Sequence, residues 1–150
     1  MLADELRSMA PAESEWFKLD TARVKAFADA TEDWQDIHLD AEFASRSAFG
    51  GTISHGFLTL SMLSAMSYQV MKGIAGVASS VNYGFDRIRF VSPVRVGRRV
   101  RGRFSIAGVD EPEEGEEGGW LDVHWDVEVE IEGETRPALV ANWITRVYVA

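Results

Sequence analysis

The sequence predicts an α+β domain in which an antiparallel β-sheet curls around one long, buried helix. Two observations carry this. The stretch from Ser54 to Met71 holds no charged residue and no proline, and its length suits a helix of roughly four to five turns better than a strand. Phe57, Leu58, Leu60, Met62, Leu63, Met66, Val70 and Met71 do not keep to one stripe, and a helix apolar on nearly every side belongs inside the protein. Beyond it the pattern changes to period two. Val123, Trp125, Val127, Val129 and Ile131 alternate with Asp122, His124, Asp126, Glu128 and Glu130, the mark of a strand with one wet face.

In chain order, residues 1 to 14 read as a loose lead-in and Trp16 to Leu19 as a short strand. Asp20 or Thr21 opens a helix with Val24, Phe27 and Ala28 at helical spacing, failing near Thr31. Asp40 before Ala-Glu-Phe-Ala reads as an N-cap, with Glu42 placed near the positive end of the following turns. Gly50 and Gly51 punctuate the chain, and Ser54 reads as the N-cap of the central helix. Val81 to Phe90 is extended and stops at Ser92-Pro93. Val96 to Ile106 follows, with Val100, Phe104 and Ile106 on one face and Arg99, Arg101 and Arg103 on the other. Ala138 to Val149 is apolar on both faces except at Asn142 and Arg146, as suits a central or interfacial strand. The acidic, glycine-rich run 110–119 is a solvated loop. A curled sheet covers its helix on one side only, so a homodimer is expected.

The chain of 150 residues reads as a single domain spanning 1–150. A formal charge of −9 argues against nucleic acid as the main partner. Absence of cysteine removes disulfides, thiolate chemistry and Cys-ligated zinc. Ser54–Met71 is too short and too rich in hydroxyls for a good membrane span, and the N-terminal residues lack the cationic and apolar regions of a signal peptide. A cytoplasmic location is the expectation.

Three histidines exist. His124 lies among acidic residues on a wet strand face and reads as surface. His38 follows Asp33 across Asp33-Trp34-Gln35-Asp36-Ile37-His38, a segment fitting neither regular element. In one helix the two side chains would stand about 140° apart, and in a strand they would oppose each other. Only a bend brings them together; a carboxylate and an imidazole aimed at one spot can then hold and deprotonate a water. A capping Asp and a partly buried His explain the same residues without chemistry. At His55-Gly56 a helix begins, and its free amide hydrogens can stabilise a negative oxygen. Equally, Gly56 can simply permit a close backbone approach. Ser64, taken alone, reads as a small residue that allows close packing.

Asp33 through His38, with Leu39-Asp40, Phe43-Ala44, Phe49-Gly50-Gly51-Thr52-Ile53, His55-Gly56 and Leu58-Thr59-Leu60-Ser61, resembles the hydratase motif and following helix of the MaoC-like dehydratases. These are R-specific enoyl-CoA hydratases with a hotdog fold, and the nearest flavour is the NodN-like branch. Phe85 to Val94 resembles the strand and turn that follow in that family. The resemblance implies an acid/base pair at Asp33 and His38, a carbonyl-polarising N–H at Gly56, and a site-lining hydroxyl at Ser64. It implies reversible syn addition of water to a trans-2-enoyl thioester, giving the (R)-3-hydroxyacyl product of fatty-acid metabolism. No cofactor is implied beyond coenzyme A as part of the substrate; the partner is an acyl-CoA or acyl carrier protein thioester.

Gln35-Asp36 replaces the Asn-Pro of better-known members and frees the backbone that proline would fix. Asp33, Asp36 and Asp40 lack the regular donor run and sharp-turn glycine of a calcium loop, so no metal is expected. Arg87, Arg89, Arg95, Arg98, Arg99, Arg101 and Arg103 form a basic cluster; solvated strand faces account for most of it, and one or two can meet coenzyme A phosphates or an acidic carrier protein. The rival readings are an acyl-thioester-binding hotdog protein without turnover and a hotdog thioesterase.

Overall fold

In the computed structural model, which describes residues 1–150, the lead-in is structured. Helix α1 (Leu2–Arg7) buries Ala3 and Leu6 in the main apolar cluster, and strand β1 (Ala12–Glu13) follows it. The expectation of a loose N-terminus is thus corrected. One short turn of helix carries too few apolar positions to show a period, but Leu6, fully buried, anchors it. Strand β2 (Phe17–Lys18) falls within the expected short strand. Helix α2 (Thr21–Thr31) starts where expected, its Arg23 N–H donating to the Asp20 carboxylate at 2.9 Å. Helices α3 (Asp36–Leu39) and α4 (Ala41–Ser45) follow, and Asp40 caps the latter through the Phe43 N–H at 3.0 Å.

The central helix is two pieces, α5 (Gly56–Ser61) and α6 (Leu63–Val70), joined at Met62. It is not swallowed: Leu58, Thr59, Leu63, Met66 and Ser67 are buried, while Phe57 and Tyr68 are 67% and 65% exposed. Ser54 is not its cap. His55 occupies the cap position without a side-chain cap bond, and the Ser54 N–H instead donates to Val94 O at 2.7 Å.

The sheet comprises β3 (Val77–Phe90), β4 (Arg99–Asp110), β5 (Trp120–Ile131) and β6 (Leu139–Val149) with β1 and β2. Its order is β1-β4-β5-β6-β3, β2 also pairing with β4, and every pairing is antiparallel. β6 is interior, as its two apolar faces required, and β3 is an edge with one side unpaired. The alternation of β5 is borne out, with Val123, Trp125, Val127, Val129 and Ile131 all buried. Asp122, on the nominally wet face, is buried as well, bound in bidentate fashion by Arg146 at 2.7 Å.

In β4, Val100 and Phe104 point inward, but a bulge between Ile106 and Gly108 shifts the register, so Val109 rather than Ile106 is fully turned into the core. Arg99, Arg101 and Arg103 face outward as expected and pair with Glu13, Glu130 and Glu132, tying β1 to β4 and β4 to β5. Gly102 lets helix and sheet meet: a Cβ there would overlap the Phe104 ring and approach the Met66 sulfur to 2.9 Å. No helix is long and apolar enough to cross a membrane.

Candidate active site

The bend that the Asp33–His38 segment needs is built at the end of α2. Glu32 takes a left-handed conformation, φ +59°, uncommon for a residue with a side chain, and both Glu32 and Asp33 donate their N–H to Ala28 O. The chain thereby turns back on itself at Asp33. The Trp34 indole donates to Asp29 Oδ1 at 2.8 Å, tethering the loop to α2. Hydrogen bonds from Lys25 and then Trp34 hold the Asp29 carboxyl below the usual aspartate range. Helix α3 then carries His38 inward. Gln35-Asp36 does not open the turn: the His38 N–H donates to Gln35 O at 3.0 Å, and the exposed Asp36 sits in the first turn of α3, where a carboxylate is favourable.

His38 is buried, and its Nδ1 lies 2.7 Å from Ile53 O. A carbonyl only accepts, so Nδ1 carries the proton and, in the neutral ring, Nε2 presents a lone pair. That nitrogen makes no hydrogen bond within the chain. Asp33 is half-buried, and its carboxylate receives only long contacts from Gln35, at 3.5 and 3.4 Å. Both groups therefore have capacity left for a further partner.

The third member was not assigned a role from sequence. His55, 2% exposed, stacks on His38 with ring centroids 3.7 Å apart and 26° between planes. One nitrogen or oxygen from each of Asp33, His38 and His55 lies within 4.8 Å of the others. Such a trio invites a metal reading, but the ring geometry disfavours it. Lone pairs lie in the ring plane, so two stacked imidazoles point them side by side rather than at one ion. The same cluster has room for a water: one water bridging two acceptors through hydrogen bonds of about 2.8 Å holds them about 4.5 Å apart, inside the 4.8 Å bound.

The structure brings Asp33 and His38 together and sets the start of α5 beside them, since His55 directly precedes Gly56. The N–H groups of Gly56 and Phe57 have no acceptor in the chain. A hollow of about 260 Å³ opens at Gly56, lined by Ser54, Thr59, Phe90 and Val94 among others but not by Asp33 or His38. The Phe90 ring lies over Gly56, where a Cβ would meet it at 3.0 Å; Gly56 thus permits a close approach as well as offering a donor. Ser64 stands apart, on a separate hollow of about 260 Å³ with Asn82, Phe85 and Trp143. Two larger depressions, of about 800 and 920 Å³, lie elsewhere, on the sheet around Arg103 and Asp126 and beside the acidic loop. Neither contains Asp33, His38 or Gly56.

His124 pairs with Asp110 at 2.8 Å on the surface, as expected. Of the basic cluster, Arg99, Arg101 and Arg103 are engaged by carboxylates, whereas Arg87, Arg89, Arg95 and Arg98 form no ion pair within the chain. The one signal in the sequence for His55 was its place before Gly56; only the fold shows where its ring goes.

Comparison with known proteins agrees with this architecture. A family model described as MaoC like domain matches residues 6–121. Nodulation protein N of Rhizobium leguminosarum bv. viciae is 50% identical over 133 residues, covering 88% of this chain and 80% of that protein. 3-Hydroxyacyl-thioester dehydratase Z of Mycobacterium tuberculosis is 42% identical over 138 residues, covering 92% and 87%. The structure of a monoamine oxidase regulatory protein from Archaeoglobus fulgius superposes with a TM-score of 0.81 at 21% identity, over 99% of this chain and 94% of that one. The last likeness speaks for the fold, which is the hotdog fold expected from the sequence.

Proposed function

The chain belongs to the family of MaoC-like domains, and from that premise we propose that it is a hydro-lyase adding water reversibly to trans-2-enoyl thioesters. The observation that carries the reading is the unsatisfied pair: an Asp33 carboxylate and the bare Nε2 of His38, from residues clustered within 4.8 Å of one another, beside a helix start with free N–H groups. A water held between them attacks C3 while one of the pair takes its proton. The Gly56 N–H receives the enolate-like charge that collects on the thioester oxygen. That same proton is then passed to C2 on the same face, which leaves the pair as it began and yields the (R)-3-hydroxyacyl thioester. Ser64, which faces a hollow separate from the one at Gly56, takes no part in this step.

The carrier is coenzyme A or an acyl carrier protein, and Arg87, Arg89, Arg95 and Arg98 are the cations free to meet its phosphate or acidic surface. The protein acts in the cytoplasm as a single domain and as a homodimer, joined along the open edge of β3, where Val81 and Tyr83 are exposed. The 42% identity to a 3-hydroxyacyl-thioester dehydratase supports the reaction class. A non-catalytic acyl-thioester binder draws on the 50% identity to a nodulation protein N, whose name states no reaction.

Crotonyl-CoA tests these readings together. The hydratase removes the enoyl absorbance and releases no thiol; a thioesterase releases thiol, and a binder changes neither. Unchanged absorbance across a series of enoyl chain lengths would overturn the proposal.

A further inference from the structure

Resting on the hydratase reading, we propose that His55 is a positioning residue whose ring sets both members of the acid–base pair. Its contacts divide cleanly. At its edge, Nε2 lies 3.0 Å from the main-chain carbonyl of Asp33. That oxygen only accepts, so Nε2–H donates, and the carbonyl of the very residue that bears the carboxylate is pinned. On its face, the ring carries His38 at 3.7 Å, while Phe27 closes the other approach at 4.9 Å in a tilted contact. The His38 plane is thus fixed between this stack and the Nδ1–H bond to Ile53 O, which decides where Nε2 points. Because His55 also holds the cap position of α5, the same residue ties the pair to the Gly56 N–H.

The remaining atom argues that this is more than filling space. Nδ1 of His55 is buried and has no hydrogen-bond partner. An apolar side chain of similar shape would pack here without stranding a polar atom. Histidine is present although it strands one, and what it supplies beyond bulk is one donor to Asp33 and one flat face to His38.

The two functions separate by substitution. His55→Phe keeps the face and removes the donor; His55→Gln keeps a donor and removes the face. Both leave most of the volume filled, and circular dichroism with a thermal melt checks that each folds. With crotonyl-CoA, each is expected to lower kcat about tenfold to a hundredfold, the scale of a displaced catalytic group, with KM within about threefold of wild type. Independently of turnover, the His38 ring-proton resonances are expected to lose their upfield ring-current shift in His55→Gln and to keep it in His55→Phe. Wild-type kcat in both folded variants, or a change confined to KM, overturns the proposal. If the wild-type protein hydrates no enoyl thioester, the hydratase reading falls by itself, and His38 resonances identical in wild type and both variants overturn the role of His55 as well.

Discussion

Replacing Asp33 by Asn separates chemistry from folding more sharply than any other change at the site. The amide is nearly isosteric with the carboxylate, and the main-chain carbonyl that His55 holds at 3.0 Å is untouched. What the side chain itself contributes to the fold is small: it is half-buried, and its contacts to Gln35 at 3.5 and 3.4 Å are too long to count for much. Stability should therefore move by no more than about 0.5 kcal/mol, as for a substitution away from packing, caps and buried networks. Turnover should fall by about 10² to 10⁴, the usual scale of a lost general acid or base. That corresponds to about 2.7 to 5.4 kcal/mol on the barrier. Initial rates of crotonyl-CoA hydration followed by enoyl absorbance, beside a urea unfolding curve, measure both. A folded Asp33→Asn protein with more than about a third of the wild-type kcat would refute the assignment of Asp33.

Other changes test other links. His38→Ala should lower kcat on the same scale but also destabilise the fold by about 1 to 3 kcal/mol, because Ile53 O loses its donor; urea unfolding reads the second effect. Leu6→Ala should cost about 2 to 5 kcal/mol by emptying a fully buried site, lowering the melting temperature and showing that the N-terminal helix is part of the core. The Asp29 carboxyl, depressed by its bonds from Lys25 and Trp34, stabilises the protein above the ordinary aspartate range, and that contribution fades as pH falls through the depressed value. The Trp34 indole N–H resonance should accordingly titrate on the acid side, and should stop doing so in Asp29→Asn. The proposed pairing of two copies along the open β3 edge predicts a dimer in light scattering that Val81→Lys shifts toward monomer.

What could be read from the sequence follows the range of the forces involved. The β5 strand was legible because alternation is local: it runs from Trp120 to Ile131 and holds every alternating position from Asp122 onward. Helix α2 and the Asp40 cap were legible for the same reason, since a capping side chain bonds an N–H only three residues on. The bulge at Ile106–Gly108 was not, because nothing local distinguishes a residue that slips register from one that keeps it, and the slip exchanges Ile106 for Val109. Helix α1 hid because its anchor, Leu6, is held by distant strands. At the site, the spacing of Asp33 and His38 required a bend without showing one; Glu32 at φ +59° makes it. His55 lies seventeen positions beyond His38 in the chain, and their rings meet face to face where the Ile53 N–H bonds Ile37 O and the His38 ring bonds Ile53 O.

The stereochemical course of hydration in deuterium oxide bears most directly on a water held by Asp33 and His38 on one face of the substrate. Crotonyl-CoA should give a single 3-hydroxybutyryl-CoA diastereomer by NMR, deuterium at C2 on the same side as the new hydroxyl, with the thioester intact. A mixture of diastereomers, addition from opposite faces, or recovery of unreacted crotonyl-CoA would contradict it.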